Sequence, residues 1–88
     1  MIPRTQTLVT ASQLGVLLQG ARKSHQLTQA QLGERMGLSQ RRISELEREP
    51  GTLSVDQLLA ICARLGLQLT VQPREQAPSS ADAQTGAW

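Results

Sequence analysis

At 88 residues the chain holds a single domain that can bury only a limited share of its surface, so further stability from pairing with a second copy is expected. With one Trp, no Phe and no Tyr, the core has to be built from Leu, Ile, Val, Met and Ala, which suits short packed helices and disfavours an enzyme with a deep pocket. The single Cys62 and single His25 exclude an internal disulfide and a Cys/His metal cluster within one chain, and the net charge of +2 is unevenly spread: residues 1–48 carry seven cations against three carboxylates, residues 49–88 two against four.

Residues 1–9 have no clear period and read as a loose arm. The opening "MIPRTQTLVTASQLG" lacks the apolar run of a signal peptide, and no stretch approaches the roughly 18 apolar residues that span a bilayer, so a soluble cytoplasmic protein with no membrane partner is expected. Leu14, Leu17, Leu18 and Ala21 then recur at i, i+3, i+4 and i+7, which predicts a first helix capped by Thr10 or Ser12 and running to about Ser24. Thr28 followed by Gln31 is a capping-box pattern for a second helix of about two turns, with Leu32 and Met36 inward and a stop at Gly37. Ser39 caps an equally short third helix that turns Ile43 and Leu46 inward and closes at Pro50-Gly51. Ser54 caps a fourth, with Val55, Leu58, Leu59, Cys62 and Leu65 expected on one face and Gly66 as its C-terminal stop.

The period changes after Gly66. Leu67, Leu69 and Val71 alternate with Gln68, Thr70 and Gln72, which predicts a strand over residues 67–73 ended by Pro73. No second strand is visible to satisfy its backbone, so its partner is expected to be the same strand of a second copy, paired antiparallel across a twofold axis. The other reading is an extended segment lying on its own domain. Residues 74–88, rich in Ala, Ser, Gln and Pro, carry no apolar periodicity and read as a flexible tail that ends on the lone aromatic, Trp88.

Two short helices joined by a tight glycine-containing turn form a helix-turn-helix unit, whose second helix enters the DNA major groove. Leu32, Met36, Leu38, Ile43 and Leu46 can pack together within it, Gly33 leaves room where the helices cross, and Gly37 tolerates the backbone of the turn. With Ile43 and Leu46 inward, Gln40, Arg41, Ser44 and Glu45 remain on the outer surface of the third helix. Their chemistry matches base edges: Arg donates twice to guanine O6 and N7, Gln pairs with adenine N6 and N7, and a carboxylate accepts from cytosine N4. The basic first half suits the same anionic partner, double-stranded DNA.

The stretch "LTQAQLGERMGLSQRRISELEREP" resembles the DNA-binding core of the phage repressor-like (Cro/cI, XRE) helix-turn-helix family, and the likeness extends over about residues 11–66. It implies an all-α fold of four to five short helices of lambda repressor-like type. The domain plan is an arm at 1–9, a DNA-binding domain at 10–66, a dimerising strand at 67–73 carrying Leu67, Leu69 and Val71, and a tail at 74–88. The resemblance places base reading on Ser39, Gln40, Arg41 and Glu45, with Glu45 alternatively a surface charge that holds Arg41 or Arg42. Phosphate contacts fall to Thr28, Gln29, Arg42, Ser44 and Arg48, the first two at a helix N-terminus where free N–H groups and the dipole favour an anion. Arg22 matches the position that pairs with the glutamate matched here by Glu47. Lys23 and Arg35 are expected to be solvated, His25 to sit on the surface, and Cys62 to be unreactive core.

The run "LGLQLTVQPR", the chain length and the Trp-ended tail resemble the narrower HipB group of antitoxins. That likeness implies an antitoxin that represses its own operon as a homodimer on an inverted repeat and binds a HipA-like serine/threonine kinase toxin. Trp88 is then either an anchor for the toxin or an inert end. A stand-alone phage-type repressor and a protein-interaction module on the same fold are the competing readings. No paired carboxylates, nucleophile and base, or glycine-rich run with a following Lys-Ser/Thr supports catalysis, so no enzyme activity, cofactor or metal is expected.

Overall fold

The computed structural model describes residues 5–74. Four α-helices follow one another: α1 Ala11–Ser24, α2 Gln29–Met36, α3 Gln40–Arg48 and α4 Val55–Arg64, with a single 3-10 turn, Pro50–Thr52, between the last two. None of them is long and apolar enough to cross a membrane.

Each helix starts where a short polar side chain precedes an apolar period. Thr10, Thr28 and Ser54 all form complete capping boxes with Gln13, Gln31 and Gln57, and Ser39 accepts the Arg42 N–H at 3.0 Å. Each box satisfies two N–H groups that a helix start would otherwise leave to water. The stops are equally local. Gly37 and Gly66 adopt left-handed φ of 72° and 70°, which costs a glycine nothing and lets Leu38 and Leu67 bond back to Gly33 and Cys62, both at 2.8 Å.

Leu18, Ala21, Leu27, Leu32, Ile43, Leu46, Ile61 and Leu65 close into one buried core to which all four helices contribute. Leu14, Met36, Leu38, Leu53, Leu58 and Leu67 pack around it, half-buried. On α4 the buried stripe differs from the expected one. Val55 and Leu59 are 69% and 49% exposed, while Ile61, absent from the expected face, is fully buried. At about 100° per residue, Leu58, Ile61, Cys62 and Leu65 share an arc of about 100°, and Val55 and Leu59 fall outside it.

Two glycines are required by space. A Cβ on Gly33 would lie 2.5 Å from the Leu38 carbonyl oxygen, so this residue makes room for the backbone of the turn rather than for a crossing helix as expected. A Cβ on Gly15 would collide with the Glu47 carbonyl and press on Pro50, which is how α1 comes against the end of α3. Residues 67–74 form neither helix nor ladder within the single chain, so the strand expected at 67–73 has no pairing among the described residues. The tail beyond residue 74, with Trp88, lies outside the described residues, as do residues 1–4.

Candidate nucleic-acid interface

α2 and α3 are held at a fixed angle by the Gly37 turn and by Leu32, Ile43 and Leu46, none of which has any exposed surface. This packing leaves one edge of α3 and the N-terminus of α2 together on the surface. Gln40, Arg41 and Arg48 are exposed there, with Ser44 and Glu45 half-buried beside them.

A chain of polar contacts fixes the start of both helices. Gln40 Nε2 donates to Gln29 Oε1 at 2.7 Å, Gln29 Nε2 donates to Glu47 Oε1 at 3.1 Å, and Glu47 is gripped by Arg22 through Nε at 2.6 Å and Nη2 at 3.1 Å. Arg22 Nη1 completes the chain by donating to the Leu27 carbonyl at 2.9 Å. The Arg22 and Glu47 side chains are only 8% and 5% exposed, and the bidentate geometry together with the Nη1 bond to the Leu27 carbonyl offsets the cost of burying the two charges. The pairing implied by the family resemblance is therefore present, and it reaches through Gln29 to the tip of α3.

Arg42 is engaged within the domain. Its guanidinium donates to Glu45 Oε1 at 2.8 Å, to Gln57 Oε1 at 3.3 Å and to the Thr52 carbonyl at 3.4 Å. It thus links α3 to the 3-10 turn and to the capping box of α4, and Glu45 is the carboxylate that holds it. Gln57 and Thr52 were not singled out in the sequence as partners of this arginine. Only the Ser54 cap hinted that Gln57 would be fixed in space.

The electrostatics of the surface favour an anion. Neither α2 nor α3 has an acidic residue in its first turn. The capping box of α2 uses the N–H groups of Thr28 and Gln31, at 2.8 and 3.0 Å, and leaves those of Gln29 and Ala30 without an intrahelical acceptor. Among the described residues Arg41 and Arg48 have no carboxylate partner, so both cations are available.

A family model described as Helix-turn-helix matches residues 18–72, more than half of the chain. The chain belongs to the helix-turn-helix family. Its branch is the Cro/cI-type (XRE) group of DNA-binding proteins, and the matched span takes in α2, the Gly37 turn, α3 and α4. No curated protein and no solved structure matches the chain. In a helix-turn-helix protein α3 is the helix offered to the major groove, and α2 lies across the phosphate backbone.

The structure brings Thr28, Gln29, Ser39, Gln40, Arg41, Ser44, Glu45 and Arg48 to the α2–α3 surface, with Arg42 tied down at its flank. Leu67, Leu69 and Val71 lie elsewhere, on the segment after α4, where Leu69 and Val71 are 43% and 89% exposed. Lys23 and Arg35 are exposed cations. His25 is exposed as well, yet its Nε2 stands 2.8 Å from the Leu65 carbonyl, joining the ends of α1 and α4. Cys62 is buried, and burial pushes its thiol up from the ordinary value.

Proposed function

We propose that this DNA-binding regulator is a transcriptional repressor that occupies an inverted-repeat operator as a homodimer and serves as the antitoxin of a HipA-like serine/threonine kinase toxin, controlling its own operon. The observation that carries the repressor reading is the exposed start of α3, where Gln40 and Arg41 project from a helix whose other face is fully buried. Gln40 is braced through Gln29, and Arg41 has no competing carboxylate. In this reading Gln40, Arg41, Ser39 and Glu45 meet base edges. Thr28, Gln29, Ser44 and Arg48 meet phosphates, and Arg42 acts mainly by holding Glu45.

Two copies of α3 about 34 Å apart, in successive major grooves, require a dimer. The uncovered Leu69 and Val71 support pairing through residues 67–73. Support for the antitoxin role comes from the likeness of "LGLQLTVQPR" and the Trp88 tail to HipB-type antitoxins. The reading is of a binding protein without catalytic chemistry of its own.

The test is a pull-down with the full chain and with a chain lacking residues 76–88, each probed with DNA from its own upstream region and with the neighbouring gene product. Retention of DNA by both forms and of a kinase-like partner by the full chain alone is the expected pattern. DNA binding with no protein partner would leave a stand-alone phage-type repressor. A protein that binds no operator and is indifferent to Arg41→Ala would be an interaction module on this fold.

A further inference from the structure

A groove of about 1150 Å³ runs beside the helices, away from the α2–α3 surface. Residues 5–9 and 67–74 both line it, together with Leu14, Leu17, Cys62 and Leu65. We infer that in the homodimer this groove receives residues 67–73 of a second copy, so that residues 5–9 become the outer strand of a sheet shared between subunits. This inference rests on the homodimer reading above.

Three observations point to that occupant. The first is the backbone of these two stretches. Among the described residues, 5–8 and 68–74 make no backbone–backbone hydrogen bond, and the N–H groups of Val9 and Thr10 are taken by Gln13 Oε1 at 2.6 and 3.0 Å. Two stretches of unpaired backbone can both be satisfied by one strand laid between them.

The second is charge. Among the described residues lining the groove, Arg74 alone carries a permanent charge. Nucleic acid would find no array of cations there. The sequence "LQLTVQP" at 67–73 is itself neutral, with apolar and amide side chains alternating, and so matches the lining.

The third is size. A two-stranded ribbon is marginal in water, and pairing of residues 67–73 with their twofold mate alone would give no more than that. With residues 5–9 of each copy against the other's strand, four strands form, and Val9 and Val71, 69% and 89% exposed in one chain, gain neighbours. The composition "TQTLV" at 5–9, with Thr and Val prominent, suits a pleated edge.

Hydrogen–deuterium exchange of the full chain, measured across a dilution series with sedimentation run in parallel, tests this. Expected is protection of residues 5–9 and 68–72 that rises together as dimer forms. In a strand neighbouring N–H groups alternate sides, so Gln6→Pro or Thr7→Pro should weaken dimerisation by about tenfold, through loss of about one ladder bond in each subunit. Gln6→Ala and Thr7→Ala should leave it within about twofold. Helical circular dichroism should be unchanged in all four variants.

Protection of 68–72 alone, or dimerisation indifferent to both prolines, would overturn the outer strand while leaving the homodimer intact. Protection of 5–9 that does not depend on concentration would overturn it in favour of pairing within one chain. A chain that stays monomeric at every concentration would sink the homodimer reading itself, and this inference with it.

Discussion

Gln40, the first residue of α3, is hydrogen-bonded through its Nε2 to Oε1 of Gln29, the first residue of α2, at 2.7 Å. Because Gln29 is in turn held by Glu47, the amide of Gln40 has one orientation, with its own Oε1 and second N–H left for a ligand. Gln40 thus keeps one acceptor and one donor, the two functions that pair with adenine N6 and N7.

Gln29→Ala should therefore act twice. On the proposed reading, loss of the brace would let Gln40 turn and blur the preference at one base pair, and loss of the proposed phosphate contact would weaken all sequences together. Fluorescence anisotropy against operator variants and random DNA should show a uniform loss of about 1 kcal/mol with reduced discrimination at a single position. Discrimination unchanged at every position would mean that the bridge has no part in reading.

Arg41→Ala is expected to behave differently. With no carboxylate partner among the described residues, Arg41 loses nothing structural when truncated, so urea unfolding should move little. Operator affinity should drop by about 1–3 kcal/mol, and selection from a randomised library should return relaxed specificity at one base pair. Equal losses on operator and random DNA would reassign this residue to the phosphates.

The Arg22–Glu47 pair belongs to stability. Arg22→Ala leaves a carboxylate that is 5% exposed without its counter-ion, for which a loss of about 3–5 kcal/mol is expected in chemical denaturation. That is a large part of the stability of a domain this small. Replacing both partners, Arg22→Met with Glu47→Leu, should recover much of the loss, yet operator binding should stay impaired because Gln29 no longer has its acceptor.

Glycine substitutions separate space from propensity. Gly33→Ala forces a Cβ against the Leu38 carbonyl at the turn and should destabilise by about 1–3 kcal/mol while also disturbing the angle between α2 and α3. Gly20→Ala, in the exposed middle of α1 with nothing near the new methyl, should stabilise by about 0.5–1 kcal/mol. Thermal unfolding of the two variants should move in opposite directions.

Cys62 gives a pH-dependent prediction. Its thiol is raised by burial, so the folded state binds the proton more tightly than the unfolded chain. The resulting stabilisation is complete below the unfolded pKa of about 8.5 and is lost as pH rises through the higher folded value. Stability measured from pH 7 to 10 should thus decline more steeply for the native chain than for Cys62→Ala, and a thiol reagent at pH 8 should react quickly only after denaturant is added.

Much of this fold was legible in the residues because its signals are local. A cap and its partner lie three residues apart, as in Thr28 with Gln31 or Ser54 with Gln57, and a left-handed stop needs only the glycine itself, as at Gly37 and Gly66. Starts, stops and the two-helix unit therefore follow from the chain alone, and so does the exposure of Gln40 and Arg41 once Ile43 and Leu46 are turned inward. Tertiary packing decided the rest. Whether Val55 or Ile61 faces the core of α4 depends on the angle at which that helix meets the others, because its apolar residues cover more than one face. The Arg22–Glu47 pair was implied by the family resemblance, but its extension through Gln29 to Gln40, and the tie from Arg42 to Gln57, join residues 11 to 18 positions apart. A hydrogen bond of that kind exists only when two helices meet at the right distance and angle, and no spacing along the chain encodes it.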